Sequence, residues 1–333
     1  MNGSQTGPVV VVTGAGAGLG RAIARAFART GARVGLIARD RNRLESARWE
    51  IGELGGQALV LPADVADAAQ VEAAADEIER TFGPIEVWVN NAMTSVFSPF
   101  KEMTAEEFRR VTEVTYLGVV HGTMAALKRM LPRDRGTIVQ VGSALAERSI
   151  PLQSAYCGAK HGIRGFTDSI RCELIHDKSN VHLTMVQMPA LNTPQFRWVK
   201  SRLPHKAQPV PPIYQPETAA EAVVWASRQR KREVFLGLKT IQAFWGNHFI
   251  PGILDHYLAR IGYQAQQTDE AEDPDRPDNL WNPVPGDFGA HGEFDDRATE
   301  GKFDLWLAKH WETLGLWLLG GAAVVLLCLR IRR

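Results

Sequence analysis

The sequence predicts an α/β fold built on a doubly wound parallel sheet, and three observations predict it. From Pro8 to about Gly237, apolar runs rich in β-branched residues alternate with stretches whose apolar residues recur every three or four positions. The runs are almost continuously apolar, as strands covered on both faces are. A chain of 333 residues is long enough for one large core of this kind, or for two ordinary ones.

The strands read, in order, as VVVVT (9–13), ARVGLIA (32–38), QALVLPAD (57–64), IEVWVNN (85–91), GTIVQVGS (136–143) and VHLTMVQM (181–188). A last short strand at Glu233 to Leu236 would complete the sheet. Helical spacing fills the gaps, most clearly at Gly20 to Arg29, Ala68 to Phe82 and Ala105 to Met130. Together these make a main domain over 1–237. Residues 238–263 are aromatic-rich and helical in pattern, with a break near Pro251-Gly252. Residues 264–302 are rich in Asp, Pro, Gly and Asn, the composition of an acidic linker, although Trp281, Phe288 and Phe294 would let parts of it rest on the main domain. Residues 303–333 form an amphipathic-to-apolar tail.

Bulk composition removes several function classes. Lysine plus arginine (38) balance aspartate plus glutamate (37), so no basic footprint for nucleic acid exists. Cys157, Cys172 and Cys328 form no close pair and no metal-ligand spacing, which fits a reducing compartment and points to no metal site. The opening MNGSQTGP lacks the basic and apolar regions of a secretory signal, so the main domain is expected in the cytosol.

The first strand runs straight into Thr13-Gly14-Ala15-Gly16-Ala17-Gly18-Leu19-Gly20 and then a helix. Glycines at such a turn let the backbone approach a pyrophosphate, and the helix N-terminus offers free N–H groups and the positive end of its dipole. The spacing is TGxxxGxG; the GxGxxG form fails because Leu19 sits where its last glycine would fall. At the end of the second strand, a carboxylate in place of Ala38 would bind free ribose hydroxyls. Here Ala38 is neutral and Arg39 follows, a planar fork suited to a 2′-phosphate, so NADP(H) is favoured over NAD(H). The competing reading makes Arg39 a solvated surface charge and Asp40 merely a helix cap.

Tyr156 and Lys160 lie four apart on one helical face, and Ser143 ends the strand before them. An unperturbed phenol near pKa 10 is a poor acid or base at neutral pH. A lysine ammonium and a positive nicotinamide ring beside it would favour the phenolate. The serine hydroxyl would hold a carbonyl oxygen where negative charge develops. Alone, the YxxxK spacing carries little, because it arises by chance in many helices.

Taken together in order, Thr13-Gly14…Gly18-Leu19-Gly20, Asp64, Asn90-Asn91-Ala92, Ser143 and Tyr156 with Lys160 resemble the short-chain dehydrogenase/reductase family over about residues 8–237. The resemblance implies a Rossmann-like fold, with Tyr156 as proton donor or acceptor and Lys160 on the nicotinamide ribose. It implies that Ser143 positions substrate, Asp64 contacts adenine, and Asn90 with Ala92 lines the cofactor. Gly14, Gly18, Leu19, Gly20 and Pro189 would also line it, and Thr193 would meet the nicotinamide carboxamide. Three positions depart from the family. Thr115 stands where an asparagine normally holds a water in a proton relay, Met93 replaces the glycine after Asn-Asn-Ala, and Ala190 replaces the glycine after Pro189. The family also implies a homodimer or homotetramer, pairing through the long helices at about 105–130 and 154–176.

Phe196, Trp198 and Tyr214, with Met93 and Phe97, would make an apolar pocket mouth suited to a lipophilic carbonyl or alcohol; the bland alternative is a packed lid. His161, next to Lys160, points elsewhere on the helix and reads as structural. Thr313 to Leu329 is a run of 17 residues without a charge, ending in Arg330, Arg332 and Arg333. As a helix it would span about 25 Å, slightly short of a ~30 Å hydrocarbon core, and Trp306, Trp311 and Trp317 suit an interface. Two classes of function follow. One is an NADP(H)-dependent oxidoreductase of a lipophilic ketone, aldehyde or alcohol, held at a membrane by residues 303–333. The other is a catalytically weak NADP(H)-binding scaffold or sensor, which the Thr115, Met93 and Ala190 departures would permit.

Overall fold

A computed structural model describes residues 7–310. Seven parallel strands form the central sheet: β1 Val9–Thr13, β2 Arg33–Ala38, β3 Gln57–Pro62, β4 Ile85–Asn90, β5 Thr137–Val141, β6 His182–Gln187 and β7 Glu233–Phe235. Their order across the sheet is β3-β2-β1-β4-β5-β6-β7, so the chain reverses direction between β1 and β4. A doubly wound sheet opens a crevice beyond the C-terminal ends of its strands at such a reversal.

The valines of β1 show why the sheet is covered on both sides. Val10 and Val12 pack into one core with Ile23 and Phe27 of α1 (Gly18–Ala28) and Val223 of α7 (Pro216–Ser227). Val9 and Val11 face the other way, toward Ile78 of α3 (Ala68–Phe82) and Met130 of α5 (Gly118–Met130). All four are buried, each burial stabilising the fold by about 1.5–3 kcal/mol before conformational entropy is counted. The remaining helices are α2 (Arg41–Glu53), α4 (Ala105–Thr112), α6 (Ser154–His176), α8 (Leu238–Phe249) and α9 (Pro251–Ile261).

Two sequence expectations change here. The single helix expected from Ala105 to Met130 is divided by a π turn at Glu113–Leu117, where the wider winding brings Thr115 against the backbone of Thr94. The segment 264–302 is not a loose linker. Gln267–Ala271 pairs antiparallel with His205–Ala207, and Ala298–Thr299 lies parallel to Ile213–Tyr214. Gln266 and Leu280 are fully buried, and Ala290 and Phe294 nearly so. The Gly, Pro and Asp residues that suggest disorder supply the tight turns between these anchors.

Helix 302–310 packs Leu305 and Ala308 against Tyr214 and α7. The apolar part of the tail, with the rest of 311–333, lies outside the described residues. Among the described residues, no helix is long and apolar enough to cross a membrane.

Candidate functional site

At the sheet reversal the glycine turn is held by backbone geometry that side chains would destroy. Gly14 has φ +69°, its N–H donates to Ile37 O at 2.7 Å, and a Cβ there would lie 2.9 Å from the Cα of Ala92. A Cβ on Gly20 would lie 2.1 Å from Gly14 O, so only glycine lets α1 start this close to the turn. The Thr13 hydroxyl donates to Val89 O (3.3 Å) and accepts from the N–H groups of Asn91 (2.9 Å) and Ala92 (3.1 Å), tying the ends of β1 and β4 together.

A cavity of about 610 Å³ runs from this turn past Arg39, Asp64 and Thr193 to Tyr156, and on to α8 and α9. It suits a dinucleotide. The glycine backbone lines one wall, and at Gly18 (φ +58°) a Cβ would close to 3.3 Å on Thr193 and narrow the slot. A cation, Arg39, stands on its wall, and so do Tyr156 and Lys160. Among the described residues no cluster of metal-ligating side chains occurs.

Ser143, Tyr156 and Lys160 come together as the spacing demands. Tyr156 and Lys160 fall on the first two turns of α6, and the Lys160 ammonium lies 5.6 Å from the centre of the Tyr156 ring. Lys160 is buried and donates to Val141 O at 2.7 Å. Burial pushes its pKa down to about 8. The phenol of Tyr156 is pushed well above its ordinary range, chiefly by burial, and a hydrogen bond with Ser143 offsets only part of that. This differs from the sequence expectation of a depressed tyrosine: in the chain by itself, desolvation outweighs the neighbouring ammonium.

Ser143 is fixed from both sides. Its N–H donates to Gln187 Oε1 (2.8 Å), and its Oγ accepts from Leu145 N–H (3.1 Å), leaving the hydroxyl proton for another acceptor. Gln187 is itself fully buried and donates to Glu147 (3.3 Å) and Glu233 (2.6 Å), acids that face Arg164.

Other expected residues divide into those at the cavity and those turned away. Gly14, Gly18, Leu19, Gly20, Arg39, Asp64, Ala92, Met93, Pro189, Ala190 and Thr193 line it. Asn90 does not. Its amide is buried in the core, accepting from Trp88 Nε1 (2.8 Å) and donating to Gln140 Oε1 (2.9 Å) and Thr123 Oγ1 (3.1 Å). Asn91, one residue on, takes the place at the cavity. Thr115 is fully buried; its hydroxyl donates to Thr94 O (2.8 Å) and accepts from Thr94 N–H (3.0 Å), so its one proton is spent on backbone. Phe97, Phe196 and Trp198 reach the cavity, but Tyr214 is buried beneath Gly237, Gly301 and Asp304. His161 bonds to Cys157 O through Nδ1 at 2.9 Å, a structural contact.

Sequence reasoning missed a strap over Arg39 and its neighbours. Arg39 donates to the carbonyls of Asn279 and Trp281, both at 2.7 Å. Arg43 donates to Gly286 O (2.8 Å) and Val284 O, its guanidinium held 4.7 Å from the ring centres of both Trp198 and Phe288. Arg110 pairs with Asp64 and donates to Leu280 O (3.1 Å). The strap is then clamped by an ion pair between Asp287 and the buried Arg21. Its only sequence signal is three aromatics, Trp281, Phe288 and Phe294, in otherwise linker-like composition.

Comparisons with known proteins agree with this geometry. A family model described as short chain dehydrogenase matches residues 8–202. An uncharacterized oxidoreductase of Bacillus subtilis, YxnA, is 32% identical over 276 residues, covering 82% of this chain and 78% of that protein. A 3-dehydrosphinganine reductase of Danio rerio is 31% identical over 226 residues, 66% of this chain and 68% of that one. Among solved structures, an alcohol dehydrogenase from the archaeon Thermococcus sibiricus, complexed with 5-hydroxy-NADP, matches with a TM-score of 0.60 at 29% identity. It covers 69% of this chain and 95% of its own.

Proposed function

The chain belongs to the short chain dehydrogenase family and is an oxidoreductase acting on CH–OH groups; from that premise we propose that it interconverts a lipophilic ketone or aldehyde and the matching alcohol with NADP(H). The observation that carries this reading is one continuous cavity lined by Arg39, by Tyr156 and Lys160, and by apolar side chains. Bound NADP(H) would exchange a hydride at the substrate carbon. In the reducing direction Ser143 donates to the carbonyl oxygen, and Tyr156 passes it a proton as charge develops there. Lys160 holds a positive charge behind the phenol and favours the phenolate that remains.

Arg39 and Arg43 line the cavity with Ala38, where no carboxylate would repel the 2′-phosphate of NADP(H), and a lifted strap would free both guanidinium forks from the carbonyls of Asn279, Trp281, Val284 and Gly286 to bind it. Support for a greasy substrate comes from Phe97, Phe196 and Trp198 on the cavity wall, and from the similarity to a 3-dehydrosphinganine reductase, which is named for a lipid. We assign 1–237 to catalysis and cofactor binding, and read 303–333 as a membrane tether on the strength of its uncharged run. Exposed Phe108 and Met124 on α4 and α5, and Ile175 on α6, support pairing of these helices between subunits.

A second reading, a cofactor-binding scaffold, is favoured by one observation: the Thr115 hydroxyl is committed to Thr94 rather than to a water relay. A screen of hydrophobic ketones with NADPH, wild type against Tyr156→Phe, separates the two. Turnover abolished by the substitution supports the enzyme. NADPH binding with no tyrosine-dependent turnover on any ketone supports the scaffold.

A further inference from the structure

Among the described residues, nothing covers the outer face of the α8–α9 hairpin. Nothing in the 11 residues of α9 is buried, and α8 buries only Thr240. Its outer side presents Trp245 (52% exposed), Phe249 (75%) and Ile253 (66%), with Trp245 and Phe249 stacked at 5.9 Å. Helices this short are marginal in water unless an apolar face is packed, and a patch this size marks an interaction surface. Its inner side is already in use: Ala243, Leu254, Leu258 and Ile261 line the substrate end of the cavity. The hairpin is therefore the wall between the cavity and whatever covers its outer face.

We propose that a phospholipid bilayer covers it, so that the α8–α9 hairpin seats in the membrane interface and a long-chain ketone or alcohol enters the cavity from the lipid. The chain that follows the domain argues for this occupant. Helix 302–310 begins beside the hairpin, where Asp304 Oδ1 accepts from Leu238 N–H at 3.0 Å, and it presents Phe303 and Trp306 to solvent. From Leu314 to Leu329 the sequence then has no charged, amide or hydroxyl side chain. Such a run has no polar face at any periodicity, so laying it on the hairpin would leave its own far side in water. A bilayer covers both surfaces at once. Charge agrees: residues 238–261 hold Lys239 and Arg260, while their one acid, Asp255, pairs with Arg148. Tryptophan among these residues suits the headgroup level.

This rests on the lipophilic-substrate and tether readings above, so the experiment separates their failures. In full-length protein carrying Cys172→Ser and Cys328→Ser, with the buried Cys157 retained, a nitroxide is placed at Phe249→Cys, Ile253→Cys or, as a control on exposed α2, Trp49→Cys. Vesicles of phosphatidylcholine and phosphatidylglycerol (3:1) are added, and collision with oxygen is compared with collision with a polar nickel complex. The expected result is oxygen-favoured, bilayer-like contrast at 249 and 253 and a water-like response at 49. Water-like labels at 249 and 253 on protein that floats with the vesicles overturn the proposal and leave the tether intact. Protein that stays in the buffer removes both. Labels already shielded without vesicles mean a second copy if dilution exposes them, and the chain's own tail if it does not; either overturns the proposal. As a second readout, Trp245→Ser with Phe249→Ser should raise KM about tenfold for a long-chain ketone in vesicles, with KM for a short soluble ketone and NADPH affinity unchanged. If no ketone is turned over, the reaction assignment fails while the label contrast still decides the surface.

Discussion

The N–H of Gly18, at the head of α1, donates to the carbonyl oxygen of Gly289 at 2.9 Å. The free N–H groups of that helix end are what a pyrophosphate would seek, and the strap from Asn279 to Gly289 lies over them and over Arg39, across the end of the cavity where the adenosine half of NADP(H) is proposed to bind. Cofactor exchange then depends on the strap lifting, and the Asp287–Arg21 pair is its clamp, with Arg21 buried and also held by Glu50 at 2.8 Å. Asp287→Ala is expected to speed NADPH release about tenfold, the effect of losing one partly buried charge-assisted pair. Stopped-flow nicotinamide fluorescence measures it. A release rate equal to wild type would show that the strap does not gate the site.

Arg39 is the second test of that end. Burial lowers its pKa from the ordinary value, and Asp64 opposes the shift, yet a guanidinium remains charged at any working pH. Removing the fork in Arg39→Ala is expected to cut the NADPH-over-NADH preference in kcat/KM by about 10- to 100-fold, with NADH kinetics little changed. A preference that survives intact would assign the phosphate to Arg43 instead, whose guanidinium sits between Trp198 and Phe288.

Thr115 tests whether position in a motif or geometry decides a role. Its hydroxyl staples both backbone groups of Thr94 to the π turn. Thr115→Val leaves that buried N–H and carbonyl without partners, at a cost of about 2 kcal/mol in denaturant unfolding. A structural staple predicts less than a tenfold fall in kcat at neutral pH. A fall of a hundredfold or more, without matching loss of stability, would place Thr115 in the proton relay after all.

The sheet and the triplet were legible in the sequence because each rests on a local signal. The continuous apolar runs became β1 to β7 within a residue or two, and Tyr156 and Lys160 needed only a helix to meet on one face. Side-chain direction at strand ends was less legible: Asn90 turns inward and Asn91 outward, which depends on where β4 stops. The strap was illegible for a different reason. Its contacts to Arg39, Arg43 and Arg110 are made by backbone carbonyls, which every residue carries, so composition reported only its turns. The sign of the Tyr156 shift also depends on burial, which spacing does not reveal.

Lys160 leaves a signature that needs no substrate. Its folded pKa, about 8, lies below the ordinary 10.5 because burial penalises the ammonium. Between those values the unfolded chain binds a proton that the folded chain lacks, so protonation favours unfolding. Stability of the protein without cofactor is therefore expected to rise as pH climbs from 8 toward 10, by about 2–3 kcal/mol, and to contribute no slope below 8. Above 10 the tyrosine takes over with the opposite sign. Its folded pKa is raised, so ionisation of the unfolded phenol pulls stability down again. Urea unfolding at successive pH values resolves the two limbs. Lys160→Met should remove the rise from the lower limb and leave the upper one, while Tyr156→Phe should make the upper limb shallower without abolishing it, because burial also raises the Tyr214 phenol and the Cys157 thiol. The same lysine sets the activity profile: carbonyl reduction should decline above pH 8 as the charge behind the phenol is lost. Because the raised Cys157 thiol opposes the lysine in this window, the difference between wild type and Lys160→Met is the measure; a slope between pH 8 and 10 that the substitution leaves unchanged would mean that Lys160 stays fully charged in the fold, and the decline in activity would then have to come from another group.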